Sequence, residues 1–154
     1  MINFYKKGFT VVELLIVLAV IGIIFSIVLP QFSAIRENQV LKGAVNDIIS
    51  SLNKAQSQTL SSVNSSSYGV HFQSDKVIIF LGTTFLVNDM NETINIISPA
   101  NISNVTLSGV SGNSGDIYFN RLSGIPSKTG TITVSTPSYS KIITISTTGV
   151  ISVN

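Results

Sequence analysis

A single carboxylate stands alone in an apolar run. Glu13 lies near the start of a stretch that carries no other charged residue from Phe9 to Leu29. Inside a bilayer an ionised acid costs roughly 2.5–3.5 kcal/mol on insertion scales, so it requires a compensating partner. The run supplies none. The chemistry open to Glu13 is therefore pairing with a group outside its own helix, and a second copy of a similar helix is the natural source.

Other reactive residue types are sparse. His71 is the one histidine and the chain has no cysteine, so a zinc ligand set cannot be assembled. His71 sits in Tyr68-Gly69-Val70-His71-Phe72-Gln73, alternating with Val70 and Phe72. That pattern reads as a strand residue on the polar face, with no acid close in sequence to build a Ser-His-Asp triad. Asp75, Asp89, Glu92 and Asp116 fall on separate loops and strand ends, without the spacing of a calcium loop. Gly109 to Gly115 lacks the lysine and the helix that must follow a phosphate-binding loop. Asn101-Ile102-Ser103 and Asn104-Val105-Thr106 fit the glycosylation pattern, a weak signal by itself. No metal, cofactor or catalytic activity is expected.

Composition narrows the class. The chain has 154 residues, enough for one domain and an anchor. Mean hydropathy is +0.47 and charged residues make up 10%, low for an average soluble globule. The net charge of +2 rests on nine Lys+Arg against seven Asp+Glu. Lys6 and Lys7 account for that whole excess. The basic balance thus belongs to the N-terminus, and no basic face for nucleic acid is expected. Without cysteine there is no disulfide framework.

The Phe9–Leu29 run, at about 1.5 Å per helical residue, spans about 30 Å, the thickness of a hydrocarbon core. Lys6 and Lys7 precede it and no comparable charge follows closely. The positive-inside rule then puts the N-terminus in the cytoplasm and everything after Pro30 outside. A secretory signal would need a small-residue cleavage site, and Ser26-Ile27-Val28-Leu29-Pro30-Gln31 offers none. A plain single-span anchor is the other alternative, and it leaves Glu13 unexplained. Acids near a helix end can also snorkel to the interface, the simplest competing account of Glu13.

Lys7-Gly8-Phe9-Thr10-Val11-Val12-Glu13-Leu14-Leu15-Ile16-Val17 resembles the class III signal of type IV pilins and type II secretion pseudopilins. The resemblance covers about the first thirty residues. It implies a leader, 1–8, removed by prepilin peptidase between Gly8 and Phe9, followed by N-methylation of Phe9. It implies that Glu13 is the family's assembly glutamate. Gly22 and Pro30 match the family's helix-weakening glycine and proline; Gly costs about 1 kcal/mol in a helix and Pro about 3. Gly22 reads equally as a packing notch and Pro30 as a kink. Cleavage would free an amine on Phe9, and in a packed filament the Glu13 carboxylate of one subunit could meet the Phe9 amine of its neighbour. The implied partners are prepilin peptidase, other pilin or pseudopilin subunits, inner-membrane assembly machinery and membrane lipid.

Beyond Pro30 the pattern changes. Phe32, Ile35, Leu41, Val45, Ile48, Leu52, Ala55 and Leu60 recur mostly at steps of three, four and seven, which predicts an amphipathic helix to about Val63. A coiled coil is the alternative, but its flanking charges are too sparse. Ser61 to Ser67 ends the helix as a loop. From Tyr68 the period becomes two. Strands are expected at 68–73, 76–81, 84–87, 93–97, 102–107, 116–120, 131–135, 141–146 and 150–153. Ser74-Asp75 and Thr147-Thr148-Gly149 are expected turns, Gly82 marks another, and Ser108 to Gly115 an exposed loop.

The predicted fold class is α+β. A long N-terminal α-helix, half membrane-spanning and half amphipathic, packs on an antiparallel β-sheet or small β-sandwich head. The expected divisions are 1–8 leader, 9–30 transmembrane and assembly helix, 31–63 amphipathic helix and 64–154 head. Lys54-Ala55-Gln56-Ser57-Gln58-Thr59-Leu60, Gly124-Ile125 and the closing 142–146/149–153 hairpin resemble the H-type minor pseudopilins and the FimT minor pilins (GspH/FimT-like), whose heads are β-sandwiches. The chain departs from many major pilins in lacking a C-terminal cysteine pair. It departs from DNA-binding FimT proteins in lacking clustered basic residues near its C-terminus. The function implied is a structural subunit of a type IV pilus or type II secretion pseudopilus, with a minor pseudopilin first. A membrane-anchored binding module, such as a competence pseudopilin, is the alternative.

Overall fold

In the computed structural model the chain is described over residues 8–88 and 90–154. Lys6, Lys7, the rest of the leader before Gly8, and Asp89 lie outside the described residues. The elements are one long helix, α1 (Val11–Leu60), and nine strands: β1 (Tyr68–Phe72), β2 (Lys76–Leu81), β3 (Glu92–Asn95), β4 (Asn101–Leu107), β5 (Val110–Gly112), β6 (Gly115–Tyr118), β7 (Gly130–Ser135), β8 (Ser140–Ile145) and β9 (Ile151–Val153). The fold is α+β, as the pattern of periods requires.

The chain divides into two compact units, the first ending at Arg36 and the second running Glu37–Asn154. In the first unit, the large apolar side chains of α1 are exposed from Val11 to Val28 and again at Phe32 and Ile35. Phe32 and Ile35, expected to begin the packed amphipathic stripe, are 65% and 54% exposed. Burial begins only at Leu41. The apolar surface left uncovered is therefore longer than the Phe9–Leu29 run.

In the second unit, α1 buries Leu41, Ala44, Val45, Ile48, Leu52 and Ala55. Their spacing of three and four places them on one helix face. Two sheets supply the rest of the core. One has four strands in the order β3-β2-β1-β6, the other five in the order β5-β4-β7-β8-β9, and every pairing is antiparallel. Val70, Phe72, Val77, Ile79 and Ile117 of the first sheet and Ile102, Val105, Ile132, Val134 and Ile143 of the second join the helix stripe in one hydrophobic cluster. Period-two alternation puts these residues on the inner faces.

The end of α1 is fixed by side chains. Thr59, fully buried, donates from Oγ1 to Ala55 O at 2.8 Å and accepts the Tyr68 N–H at 2.9 Å, tying the last helical turn to the first strand. Gln56 Nε2 donates to Gly124 O at 3.0 Å. The helix stops at Leu60, three residues earlier than expected, because Ser62 takes a left-handed conformation at φ 48° and a short 3-10 turn (Val63–Ser65) follows.

Two expectations fail. Thr84–Val87 forms no strand. It lies in the connection between β2 and β3, where Asn91 Nδ2 bonds Leu86 O at 2.7 Å and Asn88 Oδ1 accepts the Met90 N–H at 3.0 Å. These local side-chain bonds satisfy the backbone in place of a ladder. Ser108 to Gly115 is not one exposed loop. Ser108 and Gly109 both have positive φ, 51° and 82°, the geometry of a tight hairpin turn, and β5 returns along β4. The chain then crosses into the other sheet as β6.

Leu52 has no exposed surface. Leu52→Ala is expected to lower unfolding stability of the head by about 2–5 kcal/mol, the range for a large aliphatic cut back in a core. Urea denaturation followed by far-UV circular dichroism measures it.

Candidate functional site

Gly8, Phe9 and Thr10 form an extended approach to α1, and Phe9 is 85% exposed. Thr10 caps the helix: its Oγ1 accepts the Glu13 N–H at 3.2 Å, and its carbonyl accepts the Leu14 N–H at 3.2 Å. Threonine followed three residues later by glutamate is the sequence signature of a capping box. That signal stood in the sequence and went unread there. Placement in the first turn also sets the Glu13 carboxylate beside the positive end of the helix dipole.

Among the described residues Glu13 makes no ion pair; the pairs present are Lys54–Glu92 and His71–Asp116. Its side chain is exposed, as are the apolar side chains around it. A methyl group built on Gly22 would meet nothing within 4 Å, so no part of this chain needs the glycine for space. Pro30 lies within the span of α1. The structure thus gathers Phe9, Thr10 and Glu13 at one helix tip, with Gly22 and Pro30 further along the same helix.

The head holds a second cluster that sequence reading missed. β1 pairs with β6 so that His71 lies opposite Asp116, and His71 Nδ1 bonds the Asp116 carboxylate. An acid does therefore stand beside the histidine, brought there by strand pairing across more than forty positions. His71 Nε2 meets Gln73 Nε2 at 3.0 Å, so Nε2 is the acceptor when Nδ1 carries the proton. Phe85 stacks on the imidazole with ring centroids 3.9 Å apart, and its edge meets Phe80 at 5.7 Å. The face assigned as polar is in part apolar: Ile78 and Phe80 are buried there, outside the main core. No serine hydroxyl hydrogen-bonds this pair among the described residues, and the arrangement is that of a cover held over the outer face of the four-stranded sheet.

Of the acids expected to be scattered, Asp89 lies outside the described residues, and Glu92 and Asp116 have separate partners. Glu92 pairs with Lys54 at 2.6 Å, and Asp116 is taken up by His71. No group of three potential metal ligands occurs among the described residues. Asn101 Oδ1 accepts from Ser135 Oγ at 2.9 Å, and Asn104 Nδ2 donates to Thr106 Oγ1 at 3.1 Å, so both sequon asparagines are engaged in the sheet.

Two known families match the chain. Residues 3–29 match the family described as "Prokaryotic N-terminal methylation motif". Residues 44–149 match the family described as "Type II transport protein GspH". The second match covers most of the chain, and the chain belongs to the GspH family. It is a pilin- and pseudopilin-like subunit of the type II secretion class, anchored by one long apolar N-terminal helix. Comparison with curated proteins and with solved structures gave no match.

The Phe85–His71 stack has a measurable consequence. An aromatic pair adds about 0.5–1.5 kcal/mol beyond its buried area. His71→Ala is expected to speed amide exchange across 83–88 several-fold, with little change at β7 and β8. Hydrogen–deuterium exchange with mass spectrometry reads both regions in one experiment.

Proposed function

We propose that this protein is a minor pseudopilin of a type II secretion system. Prepilin peptidase cuts it between Gly8 and Phe9, and the new Phe9 amine is methylated. Lys6 and Lys7 orient the helix as it inserts in the inner membrane, with its N-terminus in the cytoplasm and its head outside, and the processed subunit is drawn into a pseudopilus by inner-membrane assembly machinery. One observation carries the reading: the large apolar side chains from Val11 to Val28, with Phe32 and Ile35, lie bare, and a single acid stands among them. Such a surface is stable only in lipid or against similar helices.

Glu13 and Phe9 divide the work. The carboxylate of one subunit meets the Phe9 amine of the next, which offsets the cost of burying either charge and fixes the axial step between subunits. The Thr10 cap holds Glu13 at the helix tip, where that amine arrives. Gly22 and Pro30 weaken the helix between tip and head, so the rod can adjust as it passes from bilayer to filament. Gly22 also leaves a notch for a neighbouring helix. Thr10, which no sequence-level expectation included, joins the site by its hydrogen bond to the Glu13 backbone.

Intact-mass spectrometry of protein from the native membrane is expected to give a chain starting at methylated Phe9. A chain still carrying Met1 would refute processing. Glu13→Ala is expected to leave membrane insertion and head folding unchanged while cutting incorporation into sheared pseudopili at least tenfold. Breaking one partner of a buried pair costs about 3–5 kcal/mol, well over a factor of ten. Wild-type incorporation by this variant would remove the role given to the acid.

A further inference from the structure

Away from the N-terminal helix tip, β9 forms an open edge of the head. β9 ends the five-stranded sheet, and among the described residues it has no neighbour on its far side. The ladder decides which groups face that way. The Asn154 N–H donates to Ile142 O at 3.0 Å, and the Ile142 N–H donates to Asn154 O at 3.1 Å. Ser152 lies opposite Thr144, and Val153 opposite Ile143. Bonded and non-bonded pairs alternate along an antiparallel ladder. The N–H and C=O groups of Ile151 and Val153 therefore point away from β8, toward the open edge.

Beside this edge runs a groove of about 310 Å³ between β9 and α1, lined by Lys42, Val45, Asn46, Ile49, Lys141 and Val153. The four helix residues recur at steps of three and four and so share one face. Val45 is buried, and Ile49 packs against the core, which makes the floor apolar. The charge in the lining is all of one sign. Among the described residues neither Lys42 nor Lys141 is paired with a carboxylate. The volume sits at the low end for ligand pockets, sized for a few side chains rather than a folded partner.

We propose that this groove docks an extended, acidic peptide segment of another protein, which adds to β9 as a sixth strand of the sheet. Main-chain bonds to Ile151 and Val153 give the alignment, and alternate apolar side chains enter over Val45, Ile49 and Val153. A carboxylate on the segment meets Lys42 and Lys141, whose unpaired charge is the feature that selects this occupant over a neutral strand. The docking needs neither cleavage at Gly8 nor Glu13, so its failure would leave the assembly reading standing.

The test uses the full chain in detergent micelles and a fluorescein-labelled heptapeptide, Thr-Val-Thr-Val-Thr-Val-Asp, with a free C-terminal carboxylate. The control peptide has Asn for Asp and an amidated end. Saturable binding is expected, weakened about tenfold or more for the control peptide and for the Lys42→Glu/Lys141→Glu double variant. Amide exchange at 151–153 should slow when the acidic probe binds. Val153→Pro, which removes an outward N–H and keeps the ladder to β8, should abolish binding while both lysines remain. No saturable binding up to about 1 mM would overturn the proposal. So would binding indifferent to the charge reversal, or binding without protection at 151–153. The chain has no cysteine of its own, so a disulfide dimer of Val153→Cys would instead assign the edge to a second copy and equally overturn it.

Discussion

The head depends on one stripe of one helix. Among the described residues Leu41, Ala44, Val45, Ile48, Leu52 and Ala55 are the buried apolar residues of the helix, and residues of both sheets join them in one cluster. The sheets also meet each other, since a side chain on Gly115 of β6 would collide with Val105 and Leu107 of β4. Without the helix stripe the inner faces of both sheets would lose part of their cover, so the head needs the helix in place. The helix in turn gains its order there from tertiary packing rather than from propensity, since Ser50, Ser51, Asn53, Ser57 and Thr59 are indifferent helix formers.

What could be read from the sequence follows the strength of the local signal. The period of two from Tyr68 onward located β4, β7 and β8 closely, because each buries alternate aliphatics, while β1 and β2 were marked by β-branched and aromatic residues and are buried on both faces. The 84–87 segment carried the same composition and became a connection. Its Phe85 packs as a side-chain cover on His71 and Phe80, and no strand among the described residues pairs with it. β5 was hidden by serine and glycine, whose turn at 108–109 needs positive φ. The His71–Asp116 pair was out of reach, because it depends on the register between β1 and β6 rather than on any spacing along the chain. The Thr10–Glu13 cap was legible, being a local signature of threonine followed three residues later by glutamate.

The two units answer different physical demands. In Glu37–Asn154 apolar residues are turned inward and charge is nearly balanced. Up to Arg36 the same residue types are turned outward. The change falls between Ile35 and Leu41, not at Pro30, so the uncovered surface outlasts the length that a bilayer alone would require. The N-terminal methylation motif, matched over residues 3–29, implies assembly with other pseudopilins, whose helices would cover such a surface. The head adds charge only at its margins, which leaves the broad outer face of the five-stranded sheet to hydroxyls. There Ser111, Thr106, Thr131, Thr144 and Ser152 line up across all five strands.

The clamp at the end of α1 has a mechanical meaning. The buried stripe runs over four turns of helix and finishes in the Thr59 hydroxyl, held to β1, and the Gln56 amide, held at Gly124. A pull along the helix axis would load these contacts in shear, all together, instead of peeling them away one after another. Structures strained in that direction yield at higher force than those unzipped from one end. The head is therefore fastened to its helix in the manner of a riveted lap joint, suited to bearing load along the helix axis.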